Sequence, residues 1–423
     1  MPLRIAILAF GTLGDVLPYI ALGRGFIAAG DHVRIATHAR FAGLAGAHGL
    51  EVAAIADDPE MLLRSPEGRA WLASGANPLR FGLALRRVLR PRVALYLRAA
   101  WEASEGADAI IASGLAVFVA ASVAEQRRVP CVPAFLQPVT PGGGVANAFA
   151  SAGGAWPLAG RLGHALHWHG AWALLRGSVN RARREVLDLP PIGPGSPFGL
   201  DHGRALWLYG FSAAALPVAP AWGSGTQVTG YWFLDAAEPP AEPLRRFLDE
   251  HPGAVCIGFG SMSDPRPAET EALLTEAVRR ASVPAVLLSG WSGSSGAAQE
   301  RGLIRLPAAP HRWLFERVGA VVHHGGAGTV AATLRAGVPS VVVPHFGDQP
   351  FWAAALYRGG AAPPPLPRAR LTAPALAAAI GAAMRHTGHR AAAARIAQRI
   401  NAEDGVATAV RAVHRHLGRE GRA

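Results

Sequence analysis

There is no lysine in this chain of 423 residues: all 41 basic residues are arginine, set against 29 acidic ones for a formal net charge of +12. The absence excludes whole mechanisms, because Schiff-base enzymes, pyridoxal-phosphate enzymes and ordinary P-loop NTPases place a lysine amine at the reacting centre or on the phosphates. Cysteine is nearly as scarce. Cys131 and Cys256 are far apart and each lies in an apolar, strand-like run, so neither a disulfide framework nor a cysteine metal site is indicated, and a reducing cytoplasm fits. Long apolar runs are missing too. The uncharged apolar stretch Ala109 to Ala124 is broken by Ser113-Gly114 and falls short of the roughly 20 residues a spanning helix needs. Leu3 to Phe10 lacks the charged start and cleavage site of a signal peptide and is expected to be a first β-strand.

What is present describes a folded α/β protein. Half the residues are hydrophobic and 17% are charged, which excludes disorder as the main state. The length allows two or three domains at roughly 150 residues each. Arginine excess alongside abundant Ala and Gly reflects GC-rich coding, and no basic stripe is interleaved with aromatics, so no nucleic-acid partner is expected. Between Arg69 and Arg98 there are seven arginines and no acidic residue, interrupted by Pro91. A solvated arginine face accounts for this run, with contact to anionic lipid headgroups as the alternative.

Short strand candidates alternate with alanine-rich helical segments: Leu3 to Phe10, Val33 to Thr37, Glu51 to Ile55, Ala109 to Ala112 and Cys131 to Phe135. This rhythm implies βαβ units and a parallel sheet. It breaks between about Thr140 and Pro197, where Gly, Pro, Trp and His gather around a helix near Ala165 to Leu187, an expected insertion that lines a pocket. Proline-rich segments 217–222 and 238–243 suit a linker, dividing the chain near residue 220 into 1–220 and 221–423. A second series follows: Ala254 to Phe259, Ala285 to Leu288, Leu303 to Leu306, Ala320 to His323 and Ser340 to Pro344. Two Rossmann-like halves result, with ligands expected outside the carboxyl ends of their strands.

The loops at those ends hold the chemistry. His323-His-Gly-Gly-Ala-Gly-Thr329 leaves a buried strand and opens a helix, so the backbone N–H groups of Gly325, Gly326, Ala327, Gly328 and Thr329 form an anion site suited to phosphate. A plain glycine turn is the competing account, but a turn has no need of imidazole, and only one of the paired histidines can face the ligand. Ser261, after Gly258-Phe-Gly260, is a candidate for a second phosphate oxygen. Asp348 and Gln349 together supply the donors and acceptors that a polyhydroxylated ligand requires, or Asp348 caps the helix that follows. Asp15, in Gly11-Thr-Leu-Gly-Asp15, is either a functional carboxylate or the N-cap of a helix from Val16 to Ala29 with Pro18 in its first turn. His164 and His167 can share a helix face, but no third metal ligand accompanies them and no metal is expected. Trp156, Trp168 and Trp172 either line an apolar acceptor cleft or fill core.

In this order the motifs resemble the nucleotide-sugar-dependent glycosyltransferases with two facing Rossmann domains, the GT-B architecture with an interdomain cleft, whose members include sterol glucosyltransferases and transferases that decorate antibiotics. The most specific stretch runs from Trp313 to Trp352. Val228-Thr-Gly-Tyr-Trp-Phe-Leu-Asp235, Ile257-Gly-Phe-Gly-Ser261 and Gly11-Thr-x-Gly-Asp-Val-x-Pro18 look like the sterol branch.

The resemblance implies inverting transfer of a hexose, first glucose from UDP-glucose, to a hydroxyl of a lipophilic acceptor, without metal or other cofactor. By position it makes Asp15 the general base, gives the diphosphate to Ser261, His324 and the Gly325 to Thr329 turn, and gives the sugar to Asp348 and Gln349. Where relatives with a plant-type signature stack tryptophan on uracil this chain has Leu306; their ribose glutamate is Ala332, and an arginine common in the sterol-like first loop is Leu13. A TDP-deoxysugar transferase and a silent partner-activating homologue are the alternatives; intact Asp15, His324 and Asp348 argue against the second. The implied setting is cytoplasmic, with peripheral membrane contact left open.

Overall fold

The structure is a computed structural model that describes residues 2–72, 78–142, 144–149, 157–195, 205–234, 240–260, 266–290, 298–300 and 302–418, with no account of the side chains of 78–79, 157–162, 165–166 and 298–299. Thirteen strands fall into two sheets among these residues. The first holds β1 (Arg4–Leu8), β2 (His32–His38), β3 (Glu51–Ile55), β4 (Ala109–Ala112), β5 (Cys131–Phe135), β6 (Trp207–Tyr209) and β7 (Thr226–Val228) in the order β3-β2-β1-β4-β5-β6-β7. Every pairing in it is parallel.

The second holds β8 (Val255–Gly258), β9 (Ala285–Leu288), β10 (Ala298–Glu300), β11 (Leu303–Leu306), β12 (Ala320–His323) and β13 (Ser340–Val342) in the order β10-β11-β9-β8-β12-β13. Only β10 runs antiparallel to its neighbour. The central strands are continuous apolar runs because helices cover both faces: Ala109 to Ala112 and Ala320 to His323 are buried at every position. Cys131 and Cys256 are free and belong to different sheets, and burial pushes both thiols up to about 12.

The division between sheets falls later than residue 220. β7 pairs with β6, so the first sheet extends to Val228, and the chain crosses to the second unit just beyond it. It crosses back near residue 404, and the last helix, Gly405–His416, packs on Leu13–Ala28 of the first unit, with His414 Nε2 2.6 Å from Asp31 Oδ2. The Thr140 to Pro197 insertion contains one long helix, Pro157–Leu187, which begins eight residues before the expected Ala165. Between β3 and β4 lie Pro59–Arg64, Pro66–Leu72, Pro78–Leu89 and Val93–Ala103, the last three of which carry most of the arginine run.

Candidate active site

The carboxyl ends of β1 and β12 face each other, and each opens a helix. At the first, Asp15 does not occupy the N-cap. The helix starts at Leu13 with Thr12 as cap, and Asp15 is three residues on, its Oδ2 accepting the Thr12 N–H (2.8 Å) and the Thr12 hydroxyl (2.9 Å). This is the N3 half of a capping box. Pro18 therefore sits inside the helix rather than in its first turn. The carboxylate rests over Gly11, whose φ is +133° and whose place a Cβ could fill only 2.5 Å from Asp15 Oδ2. The Gly11 N–H is in turn held by His38 Nε2 at 3.1 Å, with His38 Nδ1 on the Asp57 carbonyl. Oδ1 of Asp15 has no internal partner among the described residues. Asp15 opens onto the cleft, and the crowding of the two walls pushes its carboxyl up, against the Thr12 bonds that lower it.

At the second end, Gly326 caps Ala327–Ala336 and brings no side chain to the helix start. Gly325 at φ +91° turns the chain, and its N–H goes to His323 Nδ1 at 3.1 Å. The N–H groups of Gly326, Ala327, Gly328 and Thr329 find no acceptor among the described residues. His323 is wholly buried away from the cleft, whereas His324 lines it, as the alternation of a strand requires. The His324 ring lies between Gly260 and Gly326, where Cβ atoms would stand 3.2 Å from Cε1 and 2.4 Å from Nε2. Its Nδ1 is buried with no partner. Burial, reinforced by His323, His345 and His311, pulls its pKa down to about 3, so the ring is neutral. The two helix starts abut, since a Cβ on Gly328 would lie 3.9 Å from Gly14 Cα.

Beyond β13, Asp348 precedes Gln349–Arg358 at the N-cap position, yet its side chain makes no cap bond. Instead Oδ2 accepts the Trp352 indole N–H at 3.1 Å, and the carboxyl is pushed up to about 7, chiefly by burial and then by the charge of Asp15 across the cleft. Gln349 differs from expectation in one atom. Its Oε1 accepts the N–H groups of His345 (2.8 Å) and Phe346 (3.2 Å), so the oxygen shapes the loop and is not free for a sugar hydroxyl.

One cavity of about 1730 Å³ joins these parts, lined by Asp15, His324, Gly326 to Thr329, Asp348 and Gln349. Its first-unit wall is mostly apolar: Phe81, Leu85, Phe118 and Trp168 are among the lining residues, alongside Arg86 and Gln137. Trp168 bonds the Val139 carbonyl through its indole. Trp172 does not line the cavity; it is 1% exposed, packed in the core, with its indole N–H on the Gly193 carbonyl. Ser261, Trp156 and Asp235 lie outside the described residues. His164 and His167 do not converge on a ligand: His164 bonds the Val139 and Val145 carbonyls, and His167 stacks on Phe149 at 5.2 Å. No group of three His, Cys, Asp or Glu able to hold a metal occurs among the described residues.

Residues 5–142 match the glycosyltransferase family 28 N-terminal domain, and residues 298–413 match the erythromycin biosynthesis protein CIII-like C-terminal domain. A sterol 3-beta-glucosyltransferase of Candida albicans is 34% identical over 98% of this chain, and one of Arabidopsis thaliana is 33% identical over 98%. The chain belongs to this glycosyltransferase family. It spans 28% of the Candida relative's length and 66% of the Arabidopsis one's. The glycotransferase of kitacinnamycin shares the glycosyltransferase fold at a TM-score of 0.70, with 18% identity, covering 98% of this chain and 99% of that one.

Several residues that support this candidate site escaped the sequence reading. His38 has no motif around it and is defined only by its bond to Gly11. Trp352 carried a usable signal, because it stands four residues after Asp348 on a helix, the spacing at which side chains meet. Trp71, Phe81 and Phe346 come from three separate segments, and only the fold brings their rings together.

Proposed function

We propose that this chain transfers a hexose, glucose from UDP-glucose in the first instance, to a hydroxyl of a sterol-like lipophilic acceptor, with inversion and without a divalent cation. The observation that carries the reading is the shared cavity. One wall offers four unsatisfied N–H groups and an unpartnered imidazole, the other is mostly apolar, and Asp15 stands between them. As the acceptor oxygen bonds to the sugar's C1, Asp15 takes the hydroxyl proton and the C1–O bond to the diphosphate breaks. The departing diphosphate gains charge where the helix start of Ala327–Ala336 directs its positive end, and neutral His324 adds one hydrogen bond. Asp348 receives sugar hydroxyls on the face turned from Trp352.

The test is transfer from UDP-glucose to cholesterol with and without EDTA, and the configuration of the product read by NMR. Magnesium-dependent turnover overturns the metal-free reading, retention at C1 overturns inversion, and preference for TDP-sugars reassigns the donor.

A membrane surface is the expected source of the acceptor. No helix among the described residues is long and apolar enough to cross a bilayer. On Pro78–Leu89, however, Arg80, Leu83 and Arg87 are exposed at helical spacing, and Arg90 continues the stripe just beyond the helix end. Phe81, Leu85 and Leu89 of the same helix line the cavity. Arginines hold phosphate headgroups while Leu83 enters the interface. The protein is expected to co-sediment with phosphatidylserine-containing vesicles and to lose most of that binding in an R80Q/R87Q/R90Q variant. Equal binding to neutral vesicles, or none to anionic ones, overturns this surface.

A further inference from the structure

Three aromatic rings meet across the cleft. Phe346, on the loop that carries Asp348, lies 5.7 Å from Trp71 and 6.0 Å from Phe81, which are 5.7 Å from each other, centroid to centroid. Trp71 and Phe81 belong to Pro66–Leu72 and Pro78–Leu89 of the first unit, whereas Phe346 follows β13 in the second. All three rings line the cavity that Asp15 and Asp348 share. Phe346 is 9% exposed, and its N–H is bonded to Gln349 Oε1, so the ring is tied to the start of the helix that holds Asp348.

The rings bear on a choice the reaction chemistry leaves open. Asp15 activates any hydroxyl that reaches the sugar's C1. With water, the water oxygen bonds to C1, its proton goes to Asp15, the C1–O bond to the diphosphate breaks, and the products are free sugar and nucleoside diphosphate. Nothing in the base or the anion site separates water from an alcohol. Access does, and a cluster of three rings that bridges both walls offers water few hydrogen-bond partners along its faces.

Resting on the proposed transferase reading, we infer that Trp71, Phe81 and Phe346 form a cross-cleft clasp that selects an alcohol acceptor over water. They are specificity-determining residues: they exclude solvent from the space between Asp15 and Asp348, and an acceptor entering beneath Pro66–Leu72 and Pro78–Leu89 takes that space. The groups facing Asp348 are Asp15 on the opposite wall and the Trp352 indole on its own helix, with neutral His324 also lining the same cavity.

The experiment uses the full chain and the F81A, F346A and F346L variants, with a thermal melt of each. Glucose release from UDP-glucose without acceptor is measured beside transfer to cholesterol. The ratio of hydrolysis to transfer is expected to rise roughly tenfold or more in F81A and F346A, and F346L, which keeps an apolar side chain, restores it. A ratio that stays constant while both rates fall overturns the clasp. A second readout does not depend on turnover. The Trp352 indole N–H resonance reports ionisation of Asp348, with a midpoint of about 7 expected in the wild type. Admission of water in F346A is expected to lower that midpoint by a unit or more, and an unchanged midpoint overturns the clasp. A wild type that neither transfers nor hydrolyses any nucleotide sugar refutes the transferase reading instead, and the titration alone then judges solvent exclusion.

Discussion

Two carboxyls of the same chemical type are set to different work by their partners. Asp15 spends one oxygen on Thr12 and keeps the other, whereas Asp348 gives one oxygen to an indole and is held up to about 7 by burial and by Asp15. Asp15→Asn keeps size and an acceptor oxygen for Thr12, so folding survives while the proton acceptor is lost. Transfer is expected to fall by about 10²–10⁴ with nucleotide affinity nearly intact; wild-type turnover in single-turnover kinetics refutes Asp15 as base. Asp348 also has a signature in stability. Its folded pKa lies above the ordinary 3.8, so the folded state binds the proton more tightly than the unfolded chain does. The stability this provides is full below 3.8 and is lost as pH rises through about 7. Asp348→Asn, which never ionises, should therefore raise the melting temperature more at pH 8 than at pH 5. An equal shift at both values removes the case for a raised carboxyl.

Element ends decide how the site is built, and they mark where the sequence was readable. Strand interiors such as Glu51–Ile55, Ala109–Ala112 and Leu303–Leu306 are legible to the residue, because apolar runs bounded by turn residues have one way to be buried. The start of Leu13–Ala28 was not. Asp looked like the cap because Asp caps well in isolation, but Thr12 with Asp15 at N3 satisfies more of the free N–H groups at once. Trp172 was ambiguous for a related reason: helical spacing fixes which face a ring shares, while only the packed fold shows whether that face meets a cavity or core. The glycine-rich start of Ala327–Ala336 permits a clean test. Gly326 has φ −64°, a conformation alanine adopts freely, yet a Cβ there would sit 2.4 Å from His324 Nε2. Gly326→Ala should leave the melt nearly unchanged while nucleotide diphosphate binding weakens by about 1–3 kcal/mol, matching His324→Ala. Combining both changes should cost little more than either alone, since each removes the same imidazole. Calorimetric titration of the three variants measures this, and full additivity refutes a shared cause.

At the scale of the molecule, the geometry of the cleft depends on where the chain passes twice between its units. The outward passage after β7 runs through Gly230, at φ +98°, and Tyr231; the return runs through Glu403 to Gly405. The two passages touch. A Cβ on Gly405 would lie 2.4 Å from the Tyr231 carbonyl oxygen and 2.6 Å from Gly230 C, backbone atoms that cannot rotate aside. Ser212 Oγ donates to Glu403 Oε1 at 2.7 Å, tying the return passage to the loop after β6. Gly405 is also the first residue of Gly405–His416, and helix propensity alone favours alanine there. Close approach makes the opposite forecast for Gly405→Ala: the crossing must open, which is expected to cost about 1–3 kcal/mol. The displacement acts where the units join, so it alters the separation of Asp15 from the His324 wall without touching either. Transfer should then fall by more than the loss of stability explains, because misplacing reacting groups by about 1 Å can cost roughly 10²-fold. A melting curve, small-angle scattering and turnover measured on the same preparation decide the matter. A Gly405→Ala protein that is as stable and as active as the wild type would mean that the crossing has slack, and the cleft would then have to be set by the Gly14–Gly328 contact instead.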